Sequence, residues 1–100
     1  MGFIYLIRSG DDYVYKIGYS KNTKKRKKEH DTGNPNELTI LHEFESNHNR
    51  KVETILHQRY KLYRIKGEWF ELPMVVVNEF MIICSAIETN LDALRENPFI

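Results

Sequence analysis

One hundred residues, 41% hydrophobic and with twelve aromatics, are enough for one small core and exclude a wholly disordered chain. The lone Cys84 excludes an internal disulfide and fits an intracellular, reducing compartment: the cytoplasm or, for a viral protein, the host cytoplasm or nucleus; no apolar run suggests a membrane span, and no signal segment is apparent. A net charge of +1 conceals an asymmetry, because residues 1–66 hold fourteen Lys/Arg against eight Asp/Glu and residues 67–100 hold one against six, so a basic working half precedes an acidic or partner-facing tail.

Gly2-Phe3-Ile4-Tyr5-Leu6-Ile7 is a short run of β-forming residues closed by the turn-forming Arg8-Ser9-Gly10-Asp11-Asp12. Tyr13, Tyr15, Ile17 and Tyr19 then alternate with Val14, Lys16 and Gly18, which predicts a second strand and an antiparallel hairpin. Tyr5 shares a face with Phe3 and Ile7, and Lys16 with Val14 and Gly18. The loop does not fix the register, so which faces coincide stays open. Asn22 suits the N-cap of a helix over 22–32, on which Arg26 and His30, four residues apart, share a face. Six of the eight residues 21–28 are cationic, and this helix has no Leu, Ile, Val, Met or aromatic residue with which to dock. Taken alone, such a segment is a solvated basic helix that orders against phosphate. Gly33 suits its C′ position and Pro35 stops it.

Glu37–Glu45 alternates as a third strand, with Leu38, Ile40 and Phe44 to one side and Thr39 and Glu43 to the other. From Arg50 to Tyr63, apolar residues at 52, 55, 56, 60 and 63 make a helical stripe flanked by Glu53 and His57. Residues 63–72 read as a loop with a short extended segment, Trp69 and Phe70 packing inward. Pro73 then opens a C-terminal helix over 73–96, with Val76, Phe80, Ile83, Ile87, Leu91 and Leu94 on its stripe. Met74, Val77, Met81 and Ile82 widen that apolar face, which suits either a cover for the sheet edge or a homodimer contact. The expected fold is α+β: a small three-stranded antiparallel sheet flanked by helices, in a single domain over residues 1–100.

Six short motifs occur in order: Ile4-Tyr5 after Gly2; Lys16-Ile17-Gly18; Arg26 with His30; Thr32-Gly33-Asn34-Pro35; Val52-Glu53-Thr54-Ile55-Leu56-His57; and Gly67-Glu68-Trp69-Phe70. Together they resemble the GIY-YIG nuclease superfamily over residues 2–72, in particular its compact viral and phage-like branch with a Lys-Ile-Gly second motif. The resemblance implies a catalytic core at 2–72 and a divalent-metal-dependent endonuclease, a hydrolase of phosphodiester bonds in DNA. Tyr5 would accept a proton from the attacking water. Arg26 would hold the scissile phosphate with a planar, permanently charged fork. Glu53 would bind Mg²⁺ or Mn²⁺, and His30 would assist near the phosphate or leaving group. Gly18 would keep backbone close to the site, and Gly18, Lys21, Lys24, Lys25, Lys27 and Lys28 would form the nucleic-acid-binding surface.

Lys16 stands where that family's second motif has a tyrosine. If Lys16 faces Tyr5, its ammonium would favour the tyrosinate and lower the pKa of Tyr5, which makes Lys16 a catalytic candidate too. His42 and His48 have ordinary explanations, His57 divides between structure and function, and no His/Cys spacing supports zinc. No second DNA-reading domain is apparent, so low intrinsic sequence specificity is expected, with a partner protein as a source of specificity. The alternative reading is a non-catalytic nucleic-acid-binding or partner-binding module on the same scaffold. The presence of Glu53 near phosphate-binding residues favours the enzyme.

Overall fold

The apolar run 2–7 and the alternating run 13–19 form the centre of the sheet in the computed structural model, which describes residues 2–32 and 36–96. Gly33, Asn34 and Pro35, the expected helix stop and most of one motif, lie outside the described residues. Strands β1 (Gly2–Ser9) and β2 (Val14–Ser20) pair antiparallel, with Tyr5 opposite Gly18 and Ile7 opposite Lys16. Gly10 turns the chain between them at φ +57°, a left-handed conformation that a side chain would strain. This register settles which faces coincide. Tyr5, Ile7, Lys16 and Gly18 point to one side; Ile4, Leu6, Tyr15 and Ile17 point to the other.

The sheet has five strands rather than three. Flanking the hairpin are β3 (Leu38–Ser46) beside β1 and β5 (Trp69–Glu71) beside β2, with β4 (Arg64–Lys66) outermost. The two extra strands come from the stretch expected to be mostly loop, where Gly67 at φ +57° closes a tight hairpin. Neighbouring strand residues face opposite sides, so Phe70 enters the main core while Trp69 lies on the other face with Tyr5 and Ile7. The expectation that Trp69 and Phe70 pack inward together is corrected for that reason. A second correction concerns β3. Leu6 faces His42 but Ile7 faces Ile40, so Leu41 is bulged out of the pairing. The extra residue flips the alternation: Leu38 and Ile40 join Tyr5, whereas Leu41 and Phe44 pack on the main core.

Helices α2 (Asn49–Arg59) and α3 (Met74–Glu96) cover the main-core face, burying Val52, Leu56, Val76, Val77, Phe80 and Cys84 against Ile4, Leu6, Tyr15 and Ile17. The helix expected to run to Tyr63 ends at Arg59, and a 3-10 turn over Lys61–Tyr63 follows, leaving Leu62 90% exposed. On α3 the buried face is narrower than expected, with Met74, Ile82 and Leu94 exposed. Met74–Leu94 is long and apolar enough to cross a membrane by length and composition alone, although no unbroken apolar run marks it in the sequence. Here one side of it packs on the sheet.

Helix α1 (Thr23–Asp31) lies against the opposite face, where its His30 meets Lys16. The expected cap forms: Asn22 Oδ1 accepts the Lys25 N–H at 3.1 Å. Thr23 is the helix's buried residue, as the absence of an apolar stripe requires.

Candidate functional site

Strand β5 pairs with β2 only as far as Lys16, so the polar backbone edge of β2 beyond that point needs other partners. The Ile17 N–H donates to the Glu68 carbonyl at 3.1 Å, and His57 Nε2 donates to the Ile17 carbonyl at 2.8 Å. The Tyr19 N–H lies close enough to the Glu53 carboxylate to lower its pKa. Completing the edge thus brings Glu68, from the β4–β5 turn, and Glu53, from α2, to the same end of β2. His57 also meets Phe70 edge-on, ring centroids 5.0 Å apart, so its place in the structure is one of support.

Gly18 sits beneath this group. A Cβ there would meet Tyr5 Cζ at 2.5 Å and collide with Tyr5 Oη and Glu68 Oε1. Gly18 is buried, so it does not offer open backbone to a phosphate as the sequence suggested; its missing side chain makes room for a phenol and a carboxylate. Gly18→Ala should therefore cost about 1–3 kcal/mol of stability by overpacking. For a domain this small, each 1 kcal/mol corresponds to a fall of about 4–8 °C in Tm. An unchanged thermal melt would mean that the ring and the carboxylate give way freely.

Tyr5 is fully buried, and its hydroxyl makes no hydrogen bond of good geometry, although the Arg26 guanidinium lies close enough to act on it as a donor. Burial, reinforced by the Glu68 carboxylate, pushes the phenol up to about 12, with the Arg26 guanidinium pulling the other way. The expectation that Lys16 lowers the pKa of Tyr5 is corrected. Lys16 does share the face of Tyr5, but its Nζ lies 3.3 Å from His30 Nδ1 and 5.2 Å from the centre of the Trp69 ring. Burial lowers the pKa of Lys16 itself, Glu68 resists that shift, and Arg26 adds to it.

An ammonium has only donors, so His30 Nδ1 accepts from Lys16 and the proton of the neutral ring is assigned to Nε2, which is buried without a partner. Burial, then Lys16 and Arg26, lowers the pKa of His30. A histidine whose folded pKa lies below its unfolded value contributes stability above the unfolded value that is lost as pH falls through the folded one. Between pH 7 and pH 5 the wild type should consequently lose more Tm than His30→Gln. Parallel losses in the two proteins would place the imidazole in ordinary solvent.

Arg26 projects from the same side of α1, half-exposed, with Nη1 2.9 Å from Glu29 Oε2. An exposed pair of this kind is worth under about 1 kcal/mol, so another anion can displace Glu29. Glu53 is half-buried. Burial and Glu68 raise its pKa against His57, the Tyr19 N–H and Arg26. The structure therefore brings Tyr5, Lys16, Arg26, His30 and Glu53 together around Gly18. Glu68, which acts electrostatically on Tyr5, Lys16, His30 and Glu53, is the member that sequence reasoning left without a role. Its signal was the turn Gly67-Glu68, hidden because the strands on either side of it were read as mostly loop.

Lys21, Lys24, Lys25 and Lys28 are exposed, whereas Lys27 is half-buried and pairs with Asp31 at 2.8 Å, a pair that a phosphate has to displace as it does Arg26–Glu29. His42 stacks on Phe80 and His48 pairs with Asp92 at 2.7 Å, both away from this group. Among the described residues no three His, Cys, Asp or Glu side chains gather as a metal-binding group. The side chains here that could hold a cation are the carboxylates of Glu53 and Glu68, oxygen donors of the kind that hard divalent ions take.

Fold and site together define a small α+β domain in which a basic helix lies against the sheet face that carries Tyr5 and Lys16. The chain belongs to the T5orf172 domain family, whose model matches residues 2–87. It is similar to the putative KilA-N domain-containing protein 315L of Invertebrate iridescent virus 6, at 32% identity over 72 residues. That match covers 66% of this chain and 30% of the viral protein, so the chain spans less than a third of that relative. No solved structure matches. The family assignment overturns the GIY-YIG resemblance, for which no family match exists. The motifs behind it are a few residues long and individually weak, and the second carries Lys16 in place of a tyrosine. The roles of Tyr5, Arg26, His30 and Glu53 that came with it now rest on geometry alone.

Proposed function

We propose that this domain is a divalent-metal-dependent endonuclease that hydrolyses phosphodiester bonds in DNA with little sequence preference of its own. The observation that carries the reading is the Tyr5 hydroxyl, buried and unpartnered above Gly18, with Arg26 and two carboxylates acting on it. A buried polar atom left without a partner calls for an explanation, and a bound phosphate, cation or water supplies one. Arg26 exchanges Glu29 for a non-bridging phosphate oxygen. The undonated Nε2–H of His30 serves the phosphate or the leaving oxygen, with its tautomer held by Lys16. Tyr5 keeps its proton at neutral pH and orients the attacking water by hydrogen bonding, which replaces the free tyrosinate expected from sequence. Glu53 holds Mg²⁺ or Mn²⁺, and such an ion, when bound, neutralises developing charge and acidifies water. The viral relative and the lone Cys84 thiol, buried and pushed up to about 12 by that burial, are consistent with action inside a cell.

The Arg26–Glu29 pair and the protonated Tyr5 favour a second reading, a module that binds nucleic acid without cutting it. Supercoiled plasmid with Mg²⁺ separates the two. Nicking that EDTA and Glu53→Ala both abolish supports the endonuclease; retention of the plasmid without nicking supports the binding module. In either case the exposed lysines of α1 and its approach should set the salt dependence. Each phosphate contact contributes a log–log slope of roughly −0.9 on duplex DNA. The double variant Lys24→Gln/Lys25→Gln should therefore shallow the slope by up to about two units, and an unchanged slope would remove this helix from the backbone-tracking surface.

A further inference from the structure

We infer that Glu68, which lies over Gly18, is the second carboxylate of a divalent-cation site shared with Glu53 and supplied with a third oxygen by the Tyr5 hydroxyl. The inference deepens the metal-dependent reading above and rests on it. Glu68 is held by its own backbone: its carbonyl accepts the Ile17 N–H at 3.1 Å, and Trp69 beside it is registered opposite Lys16. A side chain in a tight turn between paired strands keeps its position better than one on a free loop. Its Oε1 crowds the point where a Gly18 Cβ would lie, and Tyr5 Oη crowds the same point. Independently of the two carboxylates, Tyr5 Oη is completely buried and meets no hydrogen-bond partner at good geometry; the Arg26 guanidinium that acts on it is a donor and leaves the hydroxyl proton without an acceptor. Among the described residues neither Glu53 nor Glu68 makes a salt bridge, and the Glu68 charge acts on Glu53. Two half-buried carboxylates brought together beside an orphaned hydroxyl are stabilised by a cation that takes oxygen ligands. His30 offers no lone pair, since Nδ1 accepts from Lys16 and Nε2 carries the proton, and His57 is held by its Nε2–H on the Ile17 carbonyl. The donor chemistry selects Mg²⁺ or Mn²⁺, with waters completing the shell.

The competing role for Glu68 is that of a counter-charge to Lys16, on which it also acts. Mn²⁺ titration of the full chain without nucleic acid, followed by electron paramagnetic resonance, distinguishes the two. One Mn²⁺ should bind the wild type. Glu53→Gln and Glu68→Gln should each weaken that binding at least tenfold, and Mg²⁺ should raise the Tm of the wild type but of neither variant. Glutamine keeps the shape and removes a repelling charge, so thermal melts without metal should show both variants folded. Wild-type Mn²⁺ affinity in Glu68→Gln, with any loss confined to Tm, would make Glu68 the partner of Lys16 and overturn the assignment, as would a wild type that binds no Mn²⁺. If plasmid is nicked while only Glu53→Gln loses Mn²⁺, the endonuclease reading survives and the role of Glu68 falls. If both variants lose Mn²⁺ yet the wild type never nicks plasmid, the cation site stands and the endonuclease reading falls.

Discussion

Glu53→Gln should lower the rate of plasmid nicking by at least roughly 10²–10³-fold, the scale of losing one group that stabilises developing charge, while binding duplex DNA as tightly as the wild type or more so. The carboxylate stands half-buried beside a second carboxylate and within the field of Arg26. Removing its charge costs the site its cation ligand but leaves the cationic residues to hold phosphate unopposed. Glutamine retains an oxygen that can accept the Tyr19 N–H, so the edge of β2 keeps its partner. Burial and Glu68 both disfavour the ionised form of Glu53 in the folded protein. A carboxylate whose folded pKa is raised contributes stability that is lost as pH rises through that pKa, so at neutral pH its charge is a burden on the fold. Thermal melts at pH 7 should accordingly show Tm unchanged or raised in Glu53→Gln. Single-turnover nicking and fluorescence anisotropy complete the comparison. A variant that nicks at the wild-type rate removes Glu53 from the chemistry, and one that binds DNA more weakly makes it a positioning group for the basic surface.

The parts of the site that were legible in the sequence are those fixed by local pattern. A short run of β-forming residues located β1 and period-two alternation located β2; a polar residue before a basic run located the Asn22 cap; i, i+4 spacing put Arg26 and His30 on one face of α1. What stayed hidden depends on contacts distant in sequence. β4 and β5 have three residues each, too few to show alternation, and they become strands because β2 offers them an edge. The role of Glu68 follows from that pairing and could not precede it. The bulge at Leu41 exists only in the pairing with β1, so the alternation of β3 misplaced Phe44. That Lys16 shares the face of Tyr5 depends on a hairpin register the loop does not fix, and its partner stayed hidden because its flexible four-carbon stem reaches His30 on a helix whose docking the sequence does not encode in an apolar stripe. The acidity of Tyr5 was misjudged because a charge two residues along the neighbouring strand was weighed without the burial that outweighs it.

Tyr5→Phe should separate stability from function more sharply than any other single change. The substitution keeps the ring over Gly18 and deletes a hydroxyl that is buried without a hydrogen bond. Leaving such a group unsatisfied costs about 1–3 kcal/mol, so removing it should stabilise the fold by an amount of that order. In a domain of this size that is a rise of several degrees in Tm. If the same hydroxyl orients the attacking water, nicking should fall by roughly 10²–10⁴-fold, the range for losing a positioned proton-handling group. The pH dependence carries its own sign. The folded phenol sits at about 12, above its ordinary value of 10.0, so Tyr5 contributes stability that is fully present below pH 10 and lost as pH rises toward 12. Phenylalanine has no such loss, and the Tm advantage of the variant should therefore widen between pH 7 and pH 10.5. Over pH 7–9 the wild-type nicking rate should show no rise attributable to a forming tyrosinate. A Tyr5→Phe protein that melts lower than wild type and nicks plasmid normally would place the hydroxyl in the packing, with an ordered water as its partner, and take Tyr5 out of the reaction.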